Sequence, residues 1–210
     1  MKTAPLFRSY ELLVDKADAA FRQMEEDSGA CIKCERHCSD CCHAVFGLFL
    51  IEAAYLKQYF DQLEGREIRE ALLRCNDAER ALKRLEIKLQ THEDDPQMQA
   101  NIMARERIPC PLLDENLDCI LYPYRPITCR VYGIPTKIHG KARVCGKAGF
   151  KSGESYPIFD LDGIYRELYI LSKELLSSSD VGDPNKADFL ISSPKAIGTP
   201  LEHLINETFG

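Results

Sequence analysis

Cysteines are the residues of this 210-residue chain whose type and spacing point to chemistry. Five of the ten cysteines fall within residues 31–42, in the pattern C-x2-C-x3-C-x2-C-C, and four more lie between residues 110 and 145. Thiolates two to four residues apart can turn onto one metal ion, with sulfur about 2.3 Å from zinc. The pattern therefore predicts a metal site. Its first cysteine block is Cys31, Cys34, Cys38, Cys41 and Cys42, and its second is Cys110, Cys119, Cys129 and Cys145.

Eight of these thiols are the predicted ligands, and they are enough for two four-ligand sites or for one polynuclear centre with additional thiols. They are Cys34, Cys38, Cys41, Cys42, Cys110, Cys119, Cys129 and Cys145. Cys31 follows the first predicted helix directly, and its role is left open. Cys75 falls on the apolar stripe of a long predicted helix, so we expect it to be a core residue.

Histidines near the cysteines are secondary candidates. His37 and His43 border the first block and are alternative ligands, less favoured because enough thiols are present. His139 precedes Gly140 between two short β-prone stretches, so we expect it in a hairpin turn.

The cellular compartment bears on what clustered thiols do. Arg8, Glu11 and Asp15 interrupt the N-terminal segment, so no secretory signal is expected. The longest uncharged apolar run, residues 44–51, is far shorter than the ~20 residues that span a bilayer. These features predict a cytoplasmic protein without a membrane anchor. In a reducing compartment, clustered thiols bind metal or do redox work more often than they form disulfides.

Apolar periodicity predicts a mainly α fold. Spacings of three and four predict helices over about residues 6–27, 66–91 and 161–175. An apolar run from residue 44 leads into another helix ending near residue 63, and residues 200–209 form a short last helix. Residues 109–150 are broken by proline and glycine into one or two short β-hairpins, and residues 149–157 and 177–194 are predicted loops.

The expected architecture is thus one domain, residues 1–210, built as a helical bundle with a cysteine-rich, metal-stabilised loop region. Residues 31–145 would form the cysteine-cluster core, with a long helical insertion at 50–107. Residues 150–210 would be a C-terminal helical extension.

Charge is distributed unevenly along the chain. Residues 119–153 contain seven lysines and arginines and no acid, so the remainder of this −6 protein carries −13. Our first interpretation is that these cations compensate a thiolate-rich metal site. As an alternative, Arg125 and Arg130, which flank Cys129, would hold an anionic small molecule, or the basic face would dock an acidic protein. Nucleic acid is not an expected partner of a protein that is acidic overall.

The same residues carry a resemblance to a known family. Cys38-x2-Cys41-Cys42, then Cys110-Pro111, Cys119-Ile-Leu-Tyr122, Arg125-Pro-Ile-Thr-Cys129-Arg130 and a final Cys145 resemble the YkgJ-like cysteine-cluster family, described as a zinc- or iron-chelating domain. The resemblance covers residues 31–145. It departs from the family pattern at Cys34-x3-Cys38, which is one residue longer than usual.

The resemblance implies a metal-binding protein, and three functions remain open. The first is a protein that holds zinc or an iron–sulfur cluster, with a slight preference for the cluster because the thiols are crowded. The second is a metal-dependent enzyme acting on an anionic substrate or a protein side chain, with Arg125, Arg130 and Tyr132 holding the substrate. The family includes flagellin lysine methylases, but these are considerably longer proteins, so the resemblance does not imply a methylase activity here. The third is a zinc-stabilised interaction module with a basic docking face. No nucleotide-binding loop or hydrolase motif decides among them.

Overall fold

The structure, a computed structural model, describes residues 3–179 and 182–206. Its helices are α1 (Thr3–Ser28), α2 (Leu50–Phe60), α3 (Gly65–Gln90), α4 (Pro96–Arg105), α5 (Ile127–Val131), α6 (Leu161–Ser177), α7 (Ser193–Gly198) and α8 (Leu201–Asn206). Two strands, β1 (Thr136–Ile138) and β2 (Lys141–Arg143), pair antiparallel. The mainly α fold with a short hairpin is as predicted. Among the described residues, no helix combines the length and the apolar character needed to cross a membrane.

The long helices form where the apolar spacing predicted them. Phe7, Tyr10 and Val14 lie on the buried stripe of α1, and Ala71 and Cys75 lie on that of α3. One apolar stripe on an otherwise polar helix buries against its neighbours because that removes hydrocarbon from water. Cys75 is only 4% exposed, so it is a core residue as expected.

Helix α2 is the centre of the bundle. Residues 50–56 are all buried, as expected of a helix that is apolar around its whole circumference. It contacts α1, α6, α7 and α8, while α1 packs on α5 and α6. The main core cluster takes side chains from α6 and α8 as well as from α1 and α2. The predicted C-terminal extension therefore contributes to the same core, and the domain boundaries themselves stay a prediction.

Several short elements differ from the sequence expectations. The helix α5 occupies residues 127–131, inside the stretch expected to be β-prone. The helix α4 was not predicted because it lacks a long apolar stripe, although Asp95 caps it by accepting from Met98 N and Pro96 stands in its first turn. Within the predicted loop 177–194, residues 184–186 form a 3₁₀ turn. Residues 207–209 of the predicted last helix lie outside the described residues.

The second predicted hairpin is confirmed. His139 and Gly140 form its turn with φ of 51° and 71°, and the Asp162 carboxylate accepts hydrogen bonds from both backbone N–H groups. The first predicted hairpin is a paired loop with one antiparallel bridge, between Leu113 and Cys119. The Asp114 carboxylate organises its turn by accepting from Asn116 N and Asp118 N.

Candidate metal centre

Backbone pairing brings the two cysteine blocks together. Cys110 N donates to Cys42 O at 2.7 Å, and Ile108 N donates to His43 O at 3.1 Å. A bridge between Ala44 and Arg107 extends the pairing. Segments more than sixty residues apart in the sequence are therefore neighbours, and their thiols face a common region.

Five thiols from both blocks line one cavity of about 60 Å³. We call this set the thiol pocket: Cys41, Cys42, Cys110, Cys119 and Cys129. Cys41 and Cys42 lie on the 3₁₀ turn Cys41–His43, and their Sγ atoms are 4.0 Å apart. Cys119 ends the paired loop, and Cys129 lies on α5. Four different local structures therefore supply the pocket.

The remaining thiols lie outside this cavity. Cys34 is exposed, and Cys38 and Cys145 act on it electrostatically. Cys145 is buried, and its Sγ donates to Asp40 Oδ2 at 3.5 Å. Cys31 ends a 3₁₀ turn, and its carbonyl accepts from Gly149 N at 2.7 Å. The eight predicted ligands thus separate into the thiol pocket and an outer group, which is Cys34, Cys38 and Cys145.

As placed, these thiols are not at metal-binding distances. Among residues 3–179 and 182–206, no three His, Cys, Asp or Glu side chains are arranged so that they could hold one metal ion. The five thiols are nevertheless the soft donors that zinc and iron prefer. To bind one metal ion together, their side chains would have to turn inward to other rotamers.

Burial keeps most pocket thiols protonated. It raises the pKa of Cys110 to about 11 and that of Cys119 to about 12, and it raises the pKa of Cys129 as well. The neighbouring Cys42 thiol lowers the pKa of Cys41, and the same contact raises the pKa of Cys42. Binding a metal would therefore release protons from the buried thiols.

The two predicted anion-binding arginines have different surroundings. Arg130 is 6% exposed, and its guanidinium donates to Asp18, to Arg125 O and to Pro123 O. Its hydrogen bonds hold neighbouring segments of the protein together. Arg125 lines the thiol pocket, and its Cζ lies 3.8 Å from the centre of the Tyr122 ring.

The histidines near the first block bond to backbone carbonyls. His43 Nδ1 is 2.9 Å from Ser39 O, and His37 Nδ1 is 2.9 Å from Asn116 O. His37 has a φ of 66° and lies on the surface. The described lining of the thiol pocket includes neither His37 nor His43.

Two acids near the site were not singled out from the sequence. Asp40, inside the first block, is 9% exposed and makes ion pairs with Arg107 and Lys147. Burial opposes its ionisation, but Arg107 and the Cys145 thiol outweigh that effect and lower the pKa of Asp40.

Glu52 is the one charged residue within the buried stretch 50–56 of α2, and this was the only feature of the sequence that could have singled it out. It is 3% exposed and accepts from Phe49 N and Ile127 N.

Ion pairs take up part of the charge of the basic segment. Lys137 pairs with Asp160 at 2.9 Å, Lys147 with Asp40 at 3.5 Å, and Lys151 with Glu154 at 3.6 Å. These cations are matched by carboxylates, and Arg125 is the member of the segment that lines the thiol pocket.

Comparisons with known proteins identify no relative: the chain matches no protein-family model, no curated protein and no solved structure.

Proposed function

We propose that the chain is a cytoplasmic metal-binding protein whose thiol pocket holds zinc or an iron–sulfur cluster. The supporting observation is that five cysteines from two distant blocks line one cavity together with an arginine. Buried thiols that serve packing alone are dispersed through a core, as Cys75 is. A bound zinc ion would cross-link the two blocks, and a cluster would in addition carry an electron.

The chemistry of the lining favours a metal centre, because five soft sulfur donors line one cavity. The enzyme hypothesis needs, besides these donors, a site for an organic anion or a protein side chain, so it is the second candidate. A closed zinc site and a cluster each take four thiolates, so the fifth thiol does not distinguish them, and the slight preference for a cluster rests on the crowding of the thiols.

Anaerobic purification followed by elemental analysis and a visible absorption spectrum tests this proposal. A brown protein with iron and sulfide identifies a cluster, and a colourless one with stoichiometric zinc identifies a zinc site. A reduced wild-type protein that carries neither metal and takes up neither on reconstitution contradicts the proposal.

Matched cysteine variants test whether the pocket is the site. Cys129→Ser should lose the metal and lower the melting temperature, because the bound metal stabilises the fold. Cys75→Ala, which removes a core thiol outside the pocket, should keep the metal content of the wild type. Full metal content in Cys129→Ser would exclude Cys129 as a ligand.

A further inference from the structure

Arg125 carries a buried donor without an acceptor. Among the described residues, one buried side-chain nitrogen or oxygen atom lacks a hydrogen-bond partner, and it is Arg125 Nε. Buried donors are nearly always paired in folded proteins, because an unmade hydrogen bond is costly away from water. Arg125 Nε is therefore a donor available to an acceptor that a ligand of the pocket brings.

The position of Arg125 is fixed by its neighbours. Its guanidinium stacks on the ring of Tyr122, and its backbone carbonyl accepts from Arg130 Nε at 2.9 Å. The following residues, Pro126 and Ile127, are buried, which anchors the segment on the other side. The guanidinium is therefore preorganised at the wall of the thiol pocket.

The positive charge of Arg125 in the pocket lining also favours the binding of an anion. Besides Arg125, the pocket is lined by five thiols, apolar side chains and the hydroxyls of Ser192 and Ser193, and the described lining contains no aspartate or glutamate. Four thiolates on a divalent ion carry a net charge of about −2, which a guanidinium complements.

We propose that Arg125 is the anion-binding group of the thiol pocket, and that its acceptor is a sulfur of the bound centre, either a ligand thiolate or an inorganic sulfide. The anion-binding role rests on the arginine itself, and the identity of the acceptor rests on the proposed function.

The first test uses reduced, metal-free protein and compares alkylation by anionic iodoacetate with alkylation by neutral iodoacetamide. Mass spectrometry reports the ratio of the two rates at Cys41 and Cys119. Arg125→Met should lower that ratio by roughly threefold, the effect of a partly screened charge. Arg125→Lys should restore part of it because the charge is kept. The control Arg143→Met removes an exposed cation of the same basic segment and should match the wild type.

The second test uses protein loaded with zinc or reconstituted with iron and sulfide. Release to a chelator should be several times faster from Arg125→Met than from the wild type or Arg143→Met. Wild-type behaviour of Arg125→Met in both tests overturns the proposal. If the wild type takes up no metal but Arg125→Met lowers the ratio of the iodoacetate rate to the iodoacetamide rate, the anion-binding role of Arg125 stands and the proposed metal-binding function fails.

Discussion

Arg130 Nη1 donates to Asp18 Oδ2 at 2.7 Å, and this ion pair joins α5 to α1. The other guanidinium nitrogens donate to Arg125 O and Pro123 O, so one side chain ties the segment before α5 to the first helix. Cys129 precedes Arg130 on α5. The ion pair therefore positions a pocket thiol and the Arg125 backbone relative to the helical core.

Removing the Arg130 guanidinium should destabilise the protein strongly. Arg130→Met leaves the partly exposed Asp18 and two backbone carbonyls without their donor, and acceptors that lose their donor in this way cost about 1–3 kcal/mol. Denaturant unfolding of the reduced, metal-free protein measures the change. Arg166→Met, which removes an exposed arginine 3.9 Å from Asp160, should cost less than about 1 kcal/mol. Equal losses in the two variants would show that the Arg130 contacts carry no special weight.

Gly133 lies beside the outer thiol Cys34. A Cβ at this position would lie 2.2 Å from Cys34 Sγ, so the exposed Cys34 side chain would have to turn away. Gly133→Ala should therefore destabilise the wild type by about 0.5–1.5 kcal/mol, the cost of moving a side chain off its preferred rotamer. In a Cys34→Ala background the nearest atom of residue 34 is its Cβ at 3.5 Å, so the same substitution should cost much less. A double-mutant cycle of unfolding free energies measures this, and additive effects would contradict the packing argument.

Glu52 should make the protein less stable at neutral than at mildly acidic pH. Burial raises its pKa from 4.5 to about 7, although hydrogen bonds from Ile127 N and Phe49 N act in the opposite direction. Between about pH 4.5 and 7, Glu52 therefore keeps its proton in the folded state but has lost it in the unfolded state. The contribution of Glu52 to the free energy of unfolding falls by about 3 kcal/mol as pH rises through that window.

Unfolding of wild type and Glu52→Gln across pH 4.5–8 checks this prediction. The difference in unfolding free energy between the two should change across the window in favour of the variant, because glutamine does not ionise. A constant difference between wild type and Glu52→Gln would show that Glu52 is ionised throughout.

The separation of thiols into two groups predicts unequal effects on metal content. Cys119→Ala removes a thiol of the pocket and should lose the metal, whereas Cys34→Ala removes an exposed thiol of the outer group and should keep it. Metal-to-protein ratios after anaerobic purification provide the measurement. Equal loss from both variants would mean that the outer group holds metal as well, in the same centre or in a second site, both of which the eight-ligand prediction from the sequence allows.

Local patterns were sufficient for much of the fold. The stripes of α1, α3 and α6, the burial of Cys75 and the turn at His139 and Gly140 follow from spacing and turn chemistry within one element. The same is true of the thiols as candidate ligands, because residue type and short spacing are properties of the sequence itself. The short helices α4 and α5 were missed because neither has enough turns to show a period.

The sequence by itself determined that this is a helical protein with two blocks of thiols and a basic segment beside the second. Only the tertiary structure decided which thiols share a cavity, since that depends on the pairing of Cys42 with Cys110 across the chain. It also distinguished two arginines five residues apart, because Arg130 meets Asp18 from a distant helix while Arg125 keeps a buried donor at the pocket. Both outcomes depend on contacts between residues far apart in sequence, which spacing along the chain does not encode.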